Sequence, residues 1–275
     1  MAKRILSPTI EPGRQRKERY GEISFANVLG VMVHAIDMSQ AVEILDSAIA
    51  NGKKGYVCVT GVHGVIEAQK DPAFKAILNS SLLTTPDGMP TVWVGRIQGY
   101  AHMRRVCGPD FMPAMCAMSL KKNYTHFFYG GCEGVAEELK DVLTRRIPGL
   151  KVVGTHTPPF RSLTRKEETD LLQMVSSLKP DIFWVGLSTP KQERFMAQYI
   201  QKMDTKLMVG VGAAFDFHIG KTRDVPDWMK NAGLQWLHRL YQEPTRLWRR
   251  YLVNNPQFIA KVTLQVLRLK KYETV

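Results

Sequence analysis

Short apolar runs alternate with amphipathic stretches along most of this chain. The runs have the length of buried strands, whereas the stretches between them repeat apolar residues three and four positions apart, as helices do. Strands buried on both faces and separated by helices are typical of a parallel sheet. The pattern therefore predicts an α/β fold, with a mainly parallel Rossmann-like sheet and helices on both faces. The predicted strands lie at residues 30–36, 55–60, 81–85, 126–129, 151–154, 181–187 and 206–212.

Capping residues indicate where two of the helices begin. Ser39 precedes a helical stretch, and Thr164 is followed three residues later by Glu167, which is the spacing of a capping box. After about residue 225 the strand pattern stops and helical periodicity alone remains. We therefore expect a mobile basic tail at residues 1–20, an α/β catalytic domain at 21–220 and a helical, basic C-terminal appendage at 221–275.

Positive charge is concentrated at the two ends of the chain. Residues 1–20 contain six basic and two acidic side chains, and residues 221–275 contain eleven basic and four acidic ones. Since the whole chain carries +13, the 200 residues between them carry a net charge of +2. A nearly neutral body argues against nucleic acid as a partner, and the basic ends suit an anionic membrane surface or a diphosphate.

The sequence contains no apolar run long enough to span a bilayer and no signal-peptide pattern. We therefore expect a cytoplasmic protein that binds the inner face of the membrane peripherally.

An acidic residue follows one of the predicted strands directly. Asp87 comes after the run 81–85, within Thr-Thr-Pro-Asp-Gly, at the carboxyl edge where open α/β sheets bind ligands. Sugar transfer with inversion needs a carboxylate that takes the proton from the attacking hydroxyl. Asp87 is a candidate for this base, and the alternative is a structural aspartate in a Pro-Asp-Gly turn.

Two other strand ends carry residues suited to ligand binding. Gly130 and Gly131 separate a strand from a helix, where the backbone can approach a diphosphate, although a tight turn alone also explains them. Gln192 lies in the first turn of a later helix, where its amide can bind a sugar or a base. Ser188, just before that helix, is a candidate cap for it.

Residues 236–252 combine arginines with aromatic and aliphatic side chains. Arg246, Arg249 and Arg250 have the spacings of one helix face. Arginine binds diphosphate oxygens bidentately, and aromatic side chains are stable at a lipid interface. The alternative is a solvated basic face over a packed helix.

No metal-binding or P-loop motif is found. Asp-x-Asp, His-Glu-x-x-His and Gly-x-x-x-x-Gly-Lys-Ser/Thr are all missing, and the seven histidines lack metal-ligand spacing. We therefore predict no metal and no cofactor, and we expect arginines to supply the positive charge that a leaving nucleoside diphosphate needs.

Taken together, these segments resemble the WecG/TagA/CpsF family of bacterial glycosyltransferases, the N-acetylmannosaminyltransferase type, over about residues 27–258. The resemblance implies an inverting, metal-independent transfer from a UDP-sugar to a polyprenyl-diphosphate-linked sugar during polysaccharide biosynthesis. A non-catalytic nucleotide- or lipid-binding assembly factor with the same fold is the alternative. The motifs that carry the resemblance, in the order of the family, lie at residues 59–64, 85–89, 104–110, 128–131, 186–193, 211–217 and 233–247.

The resemblance also implies roles for individual residues. Asp87 matches the proposed general base, and Thr60 matches a threonine beside it. The appendage is implicated in membrane contact and in a switch between oligomer and active monomer, so we expect a homo-oligomer. The residues expected in the substrate pocket are His63, Arg105 and Gln192, and those expected to close over the donor diphosphate are Arg239, Arg246 and Arg249.

Overall fold

The computed structural model describes residues 23–274, so the predicted basic tail lies outside the described residues. The elements in chain order are β1 (Phe25–Val28), β2 (Val31–His34), α1 (Met38–Ala50), β3 (Gly55–Thr60), α2 (Val62–Lys70), α3 (Pro72–Ser80), β4 (Leu83–Pro86), α4 (Met89–Ile97), α5 (Gly108–Lys122), β5 (Thr125–Gly130), α6 (Val135–Arg146), β6 (Lys151–His156), α7 (Arg165–Leu178), β7 (Ile182–Gly186), α8 (Lys191–Tyr199), β8 (Leu207–Gly210), α9 (Ala214–His218), α10 (Asp227–Asn231), α11 (Gln235–Gln242) and α12 (Pro244–Val266).

Six of the described strands form the main sheet, in the order β4-β3-β8-β7-β5-β6, with every neighbouring pair parallel. Successive side chains of one strand enter opposite layers. Tyr56 and Cys58 of β3 pack with α2, α3, α4, α7 and α8, whereas Val57 and Val59 pack with α1, α5, α6 and α9. Because both faces are covered, the strands are apolar throughout, and the predicted α/β fold is confirmed.

The first predicted strand does not belong to this sheet, which corrects the sequence prediction. Within residues 30–36, β2 pairs antiparallel with β1, which was not predicted, in a separate hairpin. The turn consists of Leu29 and Gly30, whose φ angles are 54° and 83°. Two positive φ values are typical of a hairpin turn that reverses the chain within two residues.

One of the two predicted helix caps is wrong. Asp37, not Ser39, caps α1, because its carboxylate accepts a hydrogen bond from the backbone N–H of Gln40 and the Gln40 side chain accepts one from Asp37. The capping box predicted at Thr164 and Glu167 is confirmed at the start of α7.

The described chain after β8 is helical, and its longest helix, α12, packs on the body. Phe258 of α12 joins the apolar cluster that contains the side chains of β3 and β5. Further along, the Gln265 amide accepts a hydrogen bond from the Leu29 N–H and donates one to the Asn27 carbonyl. The domain boundary at residue 220 stays a prediction. Within residues 23–274, no helix has the length and hydropathy needed to cross a membrane.

Candidate functional site

The carboxyl ends of the parallel strands open into a cavity of about 1390 Å³. Ligand pockets commonly measure about 300–1,000 Å³, so this one has room for more than one small molecule. The body contributes Thr60 and Asp87 from the ends of β3 and β4, and the appendage contributes Arg239 from α11 and Arg246 from α12. The cavity is therefore built jointly by the body and the appendage.

Thr60 and Asp87 are adjacent because the ends of β3 and β4 approach closely. The backbone N–H of Asp87 donates to the Thr60 carbonyl over 3.0 Å. A side chain at Gly61 would lie 2.5 Å from the Asp87 carbonyl oxygen, so glycine permits the approach. The Thr60 hydroxyl oxygen is buried and has no hydrogen-bond partner among the described residues. Its hydroxyl is therefore available to a ligand.

Opposing influences act on the pKa of Asp87. Burial raises it and dominates, whereas the guanidinium groups of Arg105, Arg239 and Arg250 lower it and the Asp110 carboxylate raises it. The net result is a pKa above the ordinary value. A carboxylate with a raised pKa accepts a proton more readily, as a general base must.

Arg105 reaches the cavity from the loop between α4 and α5. One of its nitrogens, Nη2, donates to Asp110 over 2.8 Å, and the other, Nη1, donates to the Gln235 side chain over 3.3 Å. Gln235 begins α11, so Arg105 also joins the body to the appendage. The backbone beside it is fixed because the Val106 N–H donates to the Pro86 carbonyl.

The appendage brings two of its three predicted arginines to the cavity. Arg239 is largely buried, and its Nε and Nη2 atoms have no hydrogen-bond partner among the described residues. Arg246 is exposed and pairs with Glu243 over 2.5 Å. The third, Arg249, is exposed and does not line the cavity, whereas its neighbour Arg250 does.

His63 lines the cavity and also contacts the appendage. Its Nδ1 accepts a hydrogen bond of 2.9 Å from the side-chain amide of Asn254, a buried residue of α12. The ring also bonds to the Thr189 backbone, and burial, aided by the Arg250 charge, lowers its pKa to about 4. His63 is therefore neutral at ordinary pH, and its ring is held by Asn254 and by the Thr189 backbone.

Gln192 is buried, and its amide is held by protein partners. The nitrogen donates to Glu193 over 2.9 Å, and the oxygen accepts from the Gly212 N–H over 3.0 Å. Burial raises the pKa of Glu193. Ser188 lines the cavity and does not cap α8, whose N-cap is Pro190 without a side-chain hydrogen bond.

The two glycines after β5 differ in their position relative to the cavity. Gly131 lines it and Gly130 does not. A side chain at Gly130, whose φ is 130°, would lie 2.5 Å from the carbonyl oxygen of Gly186 in the neighbouring strand. Close packing against β7 therefore accounts for Gly130, rather than either the diphosphate contact or the tight turn considered from the sequence.

Three further residues line the cavity: Arg250, which the sequence offered only as a member of the arginine cluster, and Asn254 and Asp216, which it did not single out. Asn254 follows Arg250 by four positions, a helical spacing that could have identified it. Asp216 belongs to the motif at 211–217, and burial raises its pKa while Arg246 and Lys221 lower it. Within the described residues, no three His, Cys, Asp or Glu side chains are grouped as metal ligands.

The sequence matches a known family over almost its whole length. The family described as "Glycosyl transferase WecG/TagA/CpsF family" matches residues 26–272. An N-acetylglucosaminyldiphosphoundecaprenol N-acetyl-beta-D-mannosaminyltransferase of Bacillus spizizenii is 27% identical over 227 residues, which is 82% of this chain and 86% of that protein. A protein of the same name from Bacillus subtilis is 28% identical over 204 residues, 74% of this chain and 75% of the relative.

Proposed function

Because the chain belongs to the WecG/TagA/CpsF family of glycosyltransferases, we propose that it transfers an N-acetylhexosamine from a UDP-sugar to a polyprenyl-diphosphate-linked N-acetylglucosamine. The names of the two Bacillus relatives specify N-acetylmannosamine as the transferred sugar and an undecaprenyl diphosphate as the carrier. Those names support N-acetylmannosamine as the first donor sugar to test.

The observation that carries this proposal is the position of Asp87 in the same cavity as the guanidinium groups of Arg105, Arg239 and Arg246. In the proposed reaction, an acceptor hydroxyl attacks the anomeric carbon of the donor and gives its proton to Asp87. The bond from that carbon to the diphosphate oxygen breaks, and UDP leaves with the electron pair. Because the hydroxyl attacks from the side opposite the departing UDP, the configuration of the anomeric carbon is inverted. The arginines stabilise the charge on UDP in place of a metal ion.

The rim of the cavity suits the prenyl chain of the acceptor. Four large apolar side chains that are exposed to solvent line the cavity: Trp93 and Ile97 of α4, Ile259 of α12, and Phe160 of the loop between β6 and α7. Exposed apolar clusters of this kind are typical of lipid or ligand contacts. We therefore place the prenyl chain across this rim, with its diphosphate sugar directed toward Asp87.

The outer face of α12 suits attachment to a membrane surface. Trp248 and Leu252 are exposed there, beside the exposed Arg249. Apolar and basic side chains on one helix face bind an anionic lipid interface. A peripheral position on the inner face of the cytoplasmic membrane follows from this proposal.

A transfer assay with a panel of radiolabelled UDP-sugars and a short-chain polyprenyl-diphosphate N-acetylglucosamine tests the proposed function. We expect transfer of N-acetylmannosamine, an inverted anomeric configuration in the product, and the same rate with and without EDTA. If the folded protein transferred no sugar from any donor, the non-catalytic assembly factor would be the correct interpretation.

A further inference from the structure

We propose that Arg250, rather than Arg249, is the third arginine that binds the donor diphosphate. This inference rests on the proposed function, because it assumes a UDP-sugar in the cavity. The two arginines are adjacent in the sequence, and α12 determines which of them reaches the ligand.

Helical geometry separates the two side chains. Successive residues of an α-helix differ by about 100° around the axis, so neighbours cannot face the same way. Leu247, three residues before Arg250, and Asn254, four after it, are both buried against the body. Leu252, three residues after Arg249, is 55% exposed. Arg250 therefore belongs to the inner face of α12 and Arg249 to the outer face.

The orientation of α12 is fixed close to Arg250. Asn254 lies one turn further along the same face, and its amide donates to His63 of the body. The next residue after Arg250, Tyr251, is buried against the Trp236 ring of α11, with 5.8 Å between ring centroids. A rotation of α12 about its axis that brought Arg249 to the present position of Arg250 would break both contacts.

The guanidinium of Arg250 is available to an anion. It is half-buried on the cavity wall and lies 5.2 Å from the Tyr251 ring. Its Nη2 donates to the Tyr251 hydroxyl over 3.5 Å, whereas its Nε is buried without a hydrogen-bond partner among the described residues. Arg239 and Arg246 share the carboxylate of Glu243, whereas Arg250 forms no ion pair with a carboxylate of the described residues. Buried guanidinium donors without a protein partner are suited to phosphate oxygens.

The charge of Arg250 also acts on the proposed base. Arg105, Arg239 and Arg250 lower the pKa of Asp87, while Asp110 raises it, and the Cys107 thiol lies within electrostatic reach. Removing the positive charge at position 250 must raise the pKa of Asp87. The acidic limb of the profile of kcat/KM against pH then moves to higher pH, a change that lost packing alone would not produce.

The test compares Arg250→Ala with Arg249→Ala in the full-length protein, using calorimetric titration with UDP and the pH profile of transfer. We expect Arg250→Ala to weaken UDP binding about tenfold or more, the usual value of a charged hydrogen bond. It should also move the acidic limb of the profile of kcat/KM to higher pH. Arg249→Ala should keep the wild-type affinity and the wild-type limb.

A third variant, Arg250→Lys, keeps the charge and serves if Arg250→Ala fails to fold. It should leave the acidic limb in place while weakening UDP binding, because an ammonium group lacks the bidentate geometry. Equal losses in the two alanine variants, a loss in Arg249→Ala alone, or wild-type affinity in Arg250→Ala would each overturn the inference. Wild-type protein that binds no UDP would overturn the proposed function itself.

Discussion

Asp87 lies where the ends of β3 and β4 meet, and its backbone N–H donates to the carbonyl of Thr60, whose hydroxyl is buried. We expect Asp87→Asn to lower kcat by about two orders of magnitude or more, the usual contribution of a general base, while circular dichroism and the melting temperature stay near wild type. Asp141→Asn, an exposed carboxylate on α6, is the matched control. Near-normal turnover in Asp87→Asn would mean that Asp87 is not the general base.

Because Glu193 is buried, we expect the free energy of unfolding to depend on pH. Burial raises its folded pKa, so the protonated form is favoured in the folded state, where it accepts hydrogen bonds from Gln192 and Thr189. Its stabilising contribution is complete below the ordinary pKa of a glutamic acid and is lost as pH rises through the raised value. Glu193→Gln keeps the accepting oxygen and cannot ionise.

We therefore expect the free energy of unfolding of Glu193→Gln to increase relative to wild type as pH rises over that window, as measured by urea unfolding at several pH values. Glu138→Gln, at an exposed position on α6, supplies the control series. A difference between the Glu193→Gln variant and wild type that did not change with pH would mean that Glu193 is already ionised in the fold.

Most of the residues proposed for strand ends line the cavity, whereas only some of those proposed on the appendage do. Asp87 and Gln192 follow apolar runs, and parallel strands bring all such positions to one edge of the sheet. The resemblance implied Arg249, and periodicity could not choose between Arg249 and Arg250, because it gives the relative angle of two residues and not which of them faces the body. The packing of Asn254 against His63 decides that question.

At the scale of elements, both apolar packing and a few polar contacts hold α12 on the body. Asn254→Ala would leave the Nδ1 acceptor of His63 without its partner, at a cost of about 1–3 kcal/mol. We expect faster amide hydrogen exchange in α12 and weaker UDP binding, because Arg246 is carried on the same helix. Gln257→Ala, at an exposed position of α12, should change neither measurement. Unchanged exchange in Asn254→Ala would show that apolar packing alone holds the helix.

The elements that sequence analysis missed share a physical cause. The β1–β2 hairpin has strands of only four residues each, and its turn is formed by Leu29 and Gly30, a pair without a standard hairpin signature. The cap at Asp37 was assigned two residues late, because Asp and Ser both favour N-cap positions and the Gln40 partner decides between them. In both places, local backbone conformation or a particular side-chain contact determines the structure, and the hydrophobic pattern contains neither.

At the scale of the whole molecule, the basic and apolar outer face of α12 predicts binding to anionic vesicles that salt weakens. The double variant Trp248→Ala, Leu252→Ala should reduce co-sedimentation with vesicles about tenfold or more, because two large apolar side chains no longer enter the lipid. Its affinity for UDP should match wild type, since neither residue lines the cavity.

Leu120→Ala, an exposed leucine on α5 in the opposite layer, is the control for the vesicle experiment. Equal sedimentation of the double variant and wild type, or binding that is as strong to uncharged vesicles as to anionic ones, would contradict the predicted membrane face.

The joint construction of the cavity has a consequence for protein synthesis. Synthesis proceeds from the N-terminus, so the ribosome produces Asp87 before it produces Arg239 and the residues of α12. A nascent chain therefore contains Asp87 long before it contains Arg239 and Arg246, the appendage arginines proposed to bind the nucleotide. Under the proposed function, catalytic competence has to wait until α11 and α12 leave the exit tunnel and dock on the body.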